Sequence, residues 1–103
     1  MRVLCLLPLI LFATLAHADA GLDAVADLGR INGLALACSQ PEVAARAKEL
    51  MLDRVPRLRT YGEAFEKATS EAYTRIPGGC PEAAALRVDL EVVATRLPAG
   101  PGQ

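Results

Sequence analysis

Residues 38–80 read CSQPEVAARAKELMLDRVPRLRTYGEAFEKATSEAYTRIPGGC, a stretch bounded by two cysteines and broken in its middle by Val55-Pro56. Apolar residues recur three and four apart on both sides of that proline, the period of an amphipathic helix. A single rod from residue 41 to residue 76 would hold its ends roughly 50 Å apart, at about 1.5 Å of rise per residue. Two Cα atoms joined through a disulfide stand only about 6 Å apart. A bond between Cys38 and Cys80 therefore demands that the chain reverse in between. Pro56 is the place for it, because it disfavours a helical conformation at Val55 and has no amide hydrogen to donate.

The bond itself is inferred from the N-terminus. Arg2 precedes an apolar run from Val3 to Ala16, and Ala16-His17-Ala18 sets small residues where a signal peptidase reads. Residues 1–18 are thus expected to be a cleaved signal peptide. Ala18-Asp19-Ala20 offers a second cleavage position two residues on. The run is shorter than the roughly 20 residues of a membrane-spanning helix, so no integral span is expected in the mature chain. Cleavage removes Cys5 and leaves Cys38 and Cys80, an even count in an oxidising compartment. Chain entropy assigns such a bridge roughly 4 kcal/mol, a large share of what holds a small domain folded. The Arg-rich, Lys-poor, Ala-rich usage suits a GC-rich bacterial genome, so the expected location is periplasmic or secreted.

Working outward, few β-branched and aromatic residues and many Ala, Leu, Arg and Glu make the chain all-α. Four helices are expected in an up-down-up-down bundle spanning residues 19–97, with residues 98–103 a disordered tail rich in Pro and Gly. The first runs from Ala20 or Gly21 to Ala37. The second is expected to begin at Ser39, capped by the Ser39 hydroxyl with Glu42 reaching back, and to end near Arg54. The third spans about Arg57 to Arg75, with Leu58, Tyr61, Phe65, Ala68 and Ala72 on one face. Its outer side carries Glu63 with Lys67 and Glu71 with Arg75 at i,i+4 spacing. Pro77-Gly78-Gly79 stops it. Pro81 and Glu82 open the fourth, whose Ala83, Leu86, Leu90, Val93 and Leu97 repeat the spacing until Pro98.

The first helix is apolar most of the way round. Successive residues 100° apart put Ala24, Leu28, Ile31, Ala35 and Cys38 on one side and Leu22, Val25, Gly29, Gly33 and Leu36 on nearly the opposite one. Such a helix is either central in its own fold or shared with a partner, which makes the second row a candidate interaction face. Gly29 and Gly33, continued by Ala37, would let another helix come close. Alternatively Asn32-Gly33 ends the helix early, since both residues tolerate a left-handed conformation. Arg54, Arg57 and Arg59, with Lys48 nearby, form a candidate basic patch at the Pro56 turn, where Asp19 and Asp23 are expected as counter-charges.

The chemical inventory is short. Cleavage discards His17, the sole histidine, and oxidation removes both thiols, so the common nucleophile–base pairs and His- or thiolate-based metal sites have no residues to use. Cys38 and Cys80 lack the close spacing of a redox Cys-x-x-Cys pair. Glu63 and Glu66 read as an exposed face; Tyr61 and Phe65 read as packing. No catalytic, cofactor or metal residues are assigned. Ten basic side chains against twelve acidic ones in the mature chain give no electrostatic reason for nucleic-acid binding. The expectation is a non-enzymatic exported module that binds another exported protein or itself, through the first helix or the exposed edges of the bundle. One alternative is an acid- or stress-responsive periplasmic chaperone that loosens below about pH 4, where carboxylates protonate. A carboxylate-based metal carrier or enzyme is the other.

Overall fold

A computed structural model describes residues 6–75 and 78–99, with side chains from residue 20 onward. The described residues form four helices and no strand: α1 (Leu6–Ala37), α2 (Pro41–Asp53), α3 (Arg59–Thr74) and α4 (Ala83–Ala94). The side chains of the expected leader, and residues 100–103 of the expected tail, lie outside that description. Pro98, at the start of that tail, is half-buried beside Gly21.

α1 begins well before Ala20, the boundary expected from sequence. The reason is local: residues 6–19 are rich in Leu and Ala, strong helix formers, and Pro8 falls in the first turn, where a missing amide hydrogen leaves no intrahelical bond unmade. At its other end α1 closes with a left-handed residue. Ser39 has a φ of 56°, and the Gln40 amide donates to the Ala35 carbonyl at 2.8 Å, six residues spanning one closed loop.

That geometry overturns the capping box expected at Ser39. A residue in the left-handed region that ends one helix cannot also take the extended conformation of the next helix's N-cap. Gln40 is the N-cap of α2, and no side chain among the described residues caps it. The Gln40 amide group instead donates to the Pro81 carbonyl at 3.0 Å, tying the start of α2 to the approach of α4. Cys38 and Cys80 lie at disulfide-bonding distance in the same region, with Cα atoms 5.7 Å apart.

The chain breaks at Val55-Pro56, with Val55 buried. Leu58 is extended, so α3 starts at Arg59, two residues later than its periodicity implied, and Leu58 stands outside the helix and exposed instead of on its packed face. Tyr61, Phe65 and Ala68 are half-buried and Ala72 is buried. The ion pair drawn along α3 is Lys67 with Glu71, at 3.9 Å, in place of the expected Glu63–Lys67 and Glu71–Arg75. α4 ends at Ala94, short of the expected Leu97; beyond it the Thr95 and Arg96 amides reach back only three residues, to Val92 and Val93. Leu97 still packs against the core, whereas Ala83 is exposed.

Three layers result, with α1 in the middle. α2 and α4 pack on one side of α1 and on each other; α3 packs on the opposite side and, of the three other helices, meets α1 alone. Leu28, Ile31 and Ala35 of α1 close the main core with Val43, Ala47 and Leu50 of α2 and Leu86, Leu90 and Val93 of α4. Each fully buried leucine there contributes about 1.5–3 kcal/mol relative to exposure. Asp27 of α1 pairs with Arg96 just past α4 at 2.9 Å.

Candidate interaction surfaces

Both apolar sides of α1 are used inside the chain. Ala24, Leu28, Ile31 and Ala35 are buried, the last three facing α2 and α4. On the other side Val25, Gly29 and Gly33 are buried and Leu22 is half-buried; only Leu36 is exposed, at 41%. α3 is what covers the glycines. A methyl placed on Gly29 would run into the Phe65 carbonyl and lie 2.9 Å from the Ala68 methyl; on Gly33 it would run into the Thr69 carbonyl and lie 2.8 Å from the Ala72 methyl. The row selected from sequence as a partner face is therefore the seat of the chain's own third helix. α1 also runs unbroken through Asn32-Gly33, so the early helix end does not occur.

A small polar cluster fixes the register of this close pair. Asn32 is buried, and its Nδ2 donates to the Thr69 hydroxyl at 3.2 Å. That hydroxyl lies 2.8 Å from the Phe65 carbonyl and 3.1 Å from the Gly29 carbonyl, either of which accepts its hydrogen. The Asn32 Oδ1 is buried with no hydrogen-bond partner among the described residues.

Arg54, Arg57 and Arg59 are all exposed around the Pro56 turn. A crevice of about 380 Å³ opens there between α2 and α3. Its walls include Leu52 and Leu58, 69% and 55% exposed, with Arg57 and Glu66 also lining it. Asp23, one expected counter-charge, is exposed; the side chain of Asp19 lies outside the described residues. A second groove, about 670 Å³, runs over α1 beside Cys80, with Leu34, Ala68 and Ala72 as apolar lining and Arg30, Glu71 and Arg75 as charged lining.

The outer face of α4 was not anticipated. Val88 is 63% and Val92 55% exposed, and with Ala84 they form a row four residues apart, bordered by Arg87 and Glu91. Those two charges answer α2 in the same order along both helices: Arg87 stands 3.7 Å from Glu42, and Arg46 donates to Glu91 at 3.4 Å and to Glu49 at 2.7 Å. The hydrogen bond to Glu91 is the main cause holding the Arg46 guanidinium further toward its charged form. The sequence carried a signal for this row, since positions 88 and 92 are apolar yet fall off the Leu86–Leu90–Val93 side of the same helix.

Among the described residues no three His, Cys, Asp or Glu side chains gather as a metal site requires, and no helix is long and apolar enough to cross a membrane. Glu63 and Glu66 are exposed, as is Tyr73. The described residues display an all-helical fold, with Cys38 and Cys80 at disulfide-bonding distance and apolar rows at the surface. The chain matches no protein-family model, curated protein or solved structure.

Proposed function

We propose that this chain is a small exported, non-enzymatic interaction module, periplasmic or secreted. Residues 1–18 are its leader, the Cys38–Cys80 bridge its covalent staple, and a binding edge of the domain its working part. The observation that carries the reading is the row Ala84, Val88 and Val92, apolar side chains on a regular helix with no layer over them among the described residues. A small domain that fills both sides of its central helix internally, yet leaves two valines more than half exposed on one stripe, presents a surface of the kind that partners cover.

Alternating helix directions are part of the proposal. Gly29 and Gly33 meet 65–68 and 69–72 in rising order, so α1 and α3 point the same way; Glu42 and Arg46 meet Arg87 and Glu91 in rising order, so α2 and α4 do too. Asp27 with Arg96 and Cys38 with Cys80 run in falling order, which sets α4 against α1. These pairings support an up-down-up-down path.

The test is a photo-crosslinking residue at position 88 of the exported protein in its native compartment, with the exposed Ala45 on α2 as the comparison position. The reading requires that position 88 trap a reproducible species, a different protein or a second copy, that position 45 does not. Equal, background-level capture at both sites would set it aside.

A further inference from the structure

We infer that the outer face of α4 is a self-association surface, on which two copies of this domain pair antiparallel about a two-fold axis. This names the partner in the interaction-module reading and rests on it. The argument starts from the row itself. Ala84, Val88 and Val92 follow one another about 40° apart around the helix, a stripe about 80° wide, at the 100° step per residue of an α-helix. They are small or β-branched, so a second helix can approach closely and the side chains surrender little rotamer freedom.

Register follows from self-complementarity, because a two-fold interface must match itself. Let the axis pass at the level of residue 89. Each position then faces the one equally far beyond 89 on the other copy. Val88 of one copy falls between the levels of Val88 and Val92 of the second, and Val92 between Val88 and Ala84. The rows interleave and do not collide.

The same register decides the charges. Arg87 and Glu91 are equally distant from residue 89, so each Arg87 meets Glu91 of the second copy, twice per pair. A two-fold axis perpendicular to two facing antiparallel helices keeps one flank on one side, so both contacts form on the edge toward α2. Asp89, which falls on the axis, lies on the opposite flank and as far round from Val88 as Arg87 does. Its side chain is short, so it does not reach across to its copy as the long Arg87 and Glu91 side chains reach each other. In-chain pairing leaves the bordering charges available: Arg87 is 58% and Glu91 54% exposed despite Glu42 and Arg46. One helix face per copy is a small interface, so the association is weak and reversible, below the roughly 1,200 Å² of standard complexes.

The experiment is sedimentation velocity on the oxidised mature protein from about 10 μM to about 1 mM, the range that resolves a weak complex. The wild type is expected to shift from monomer toward dimer. Val88→Asp with Val92→Asp, both at exposed positions, should remain folded by circular dichroism and stay monomeric. Arg87→Glu alone and Glu91→Arg alone should each lower the association constant about tenfold, since each places two like-charge contacts in the pair. An equimolar mixture of those two single variants should recover it, because only their heterodimer sets opposite charges at both contacts. A wild type that is monomeric throughout, a valine variant that still dimerises, or a mixture that gains nothing would each overturn the inference. Failure here, with position 88 still trapping a different protein in the native compartment, would leave the interaction-module reading standing and only the second copy removed.

Discussion

Gly33 of α1 lies so close under Ala72 of α3 that a methyl group added to it would stand 2.8 Å from the Ala72 methyl and would strike the Thr69 carbonyl. Backbone does not yield as a side-chain tip does, so Gly33→Ala forces the two helices apart. Alanine's helix preference returns up to about 1 kcal/mol, but overpacking costs about 1–3 kcal/mol, and the net should be a loss. Gly29→Ala faces the same obstacle at Phe65. Urea denaturation should rank both below wild type.

Gly62 supplies the contrast. It sits in α3 with nothing among the described residues within 4 Å of where its Cβ would be. Gly62→Ala should therefore raise stability by about 0.5–1 kcal/mol through helix propensity alone. The same denaturation series reads this as a higher midpoint with an unchanged slope.

Thr69→Val keeps the shape of the α1–α3 contact and removes the hydroxyl that accepts from Asn32. The buried Asn32 amide then loses its partner, at a cost of about 1–3 kcal/mol. Thr69→Ser keeps the hydroxyl and should fall well short of that loss in thermal unfolding.

Ser39 offers a prediction of opposite sign from the two readings of its role. As an N-cap it would lose stability on replacement. As the left-handed residue closing α1, with φ at 56°, it should gain from Ser39→Gly by up to about 1 kcal/mol, because glycine carries no Cβ penalty there. A midpoint below wild type would restore the capping role.

The sequence announced the break at Pro56 and the core positions Leu86, Leu90 and Val93 of α4, though not the exposure of Ala83, because both rest on local chemistry: a missing amide hydrogen and a strict three-and-four spacing. Both apolar sides of α1 were visible for the same reason. What covered the second side was not, since Gly29 and Gly33 declare that a helix can come close without saying whose. Ser39 shows the limit of short motifs: the Ser-x-x-Glu pattern is present, but one residue cannot serve two helix ends, and the end of α1 prevailed. The valine row on α4 lay in plain view in the spacing, hidden behind the stronger leucine pattern beside it.

The bridge is open to a simple test of magnitude. Cys38→Ser with Cys80→Ser opens a loop of sequence separation 42, so the stability of the mature domain should fall by about 4 kcal/mol on chain entropy. Wild type with reductant should match the double variant in a denaturation curve. A loss under about 1 kcal/mol would mean that helix packing alone closes the fold.

Intact-mass measurement of non-reduced protein recovered from its native compartment bears on export, processing and closure together. The expected mass is that of a chain beginning at Asp19, lacking the two hydrogens lost when Cys38 and Cys80 join, and refractory to thiol alkylation until reduced. A chain that keeps residues 1–18 and alkylates at both cysteines without reductant would contradict the account.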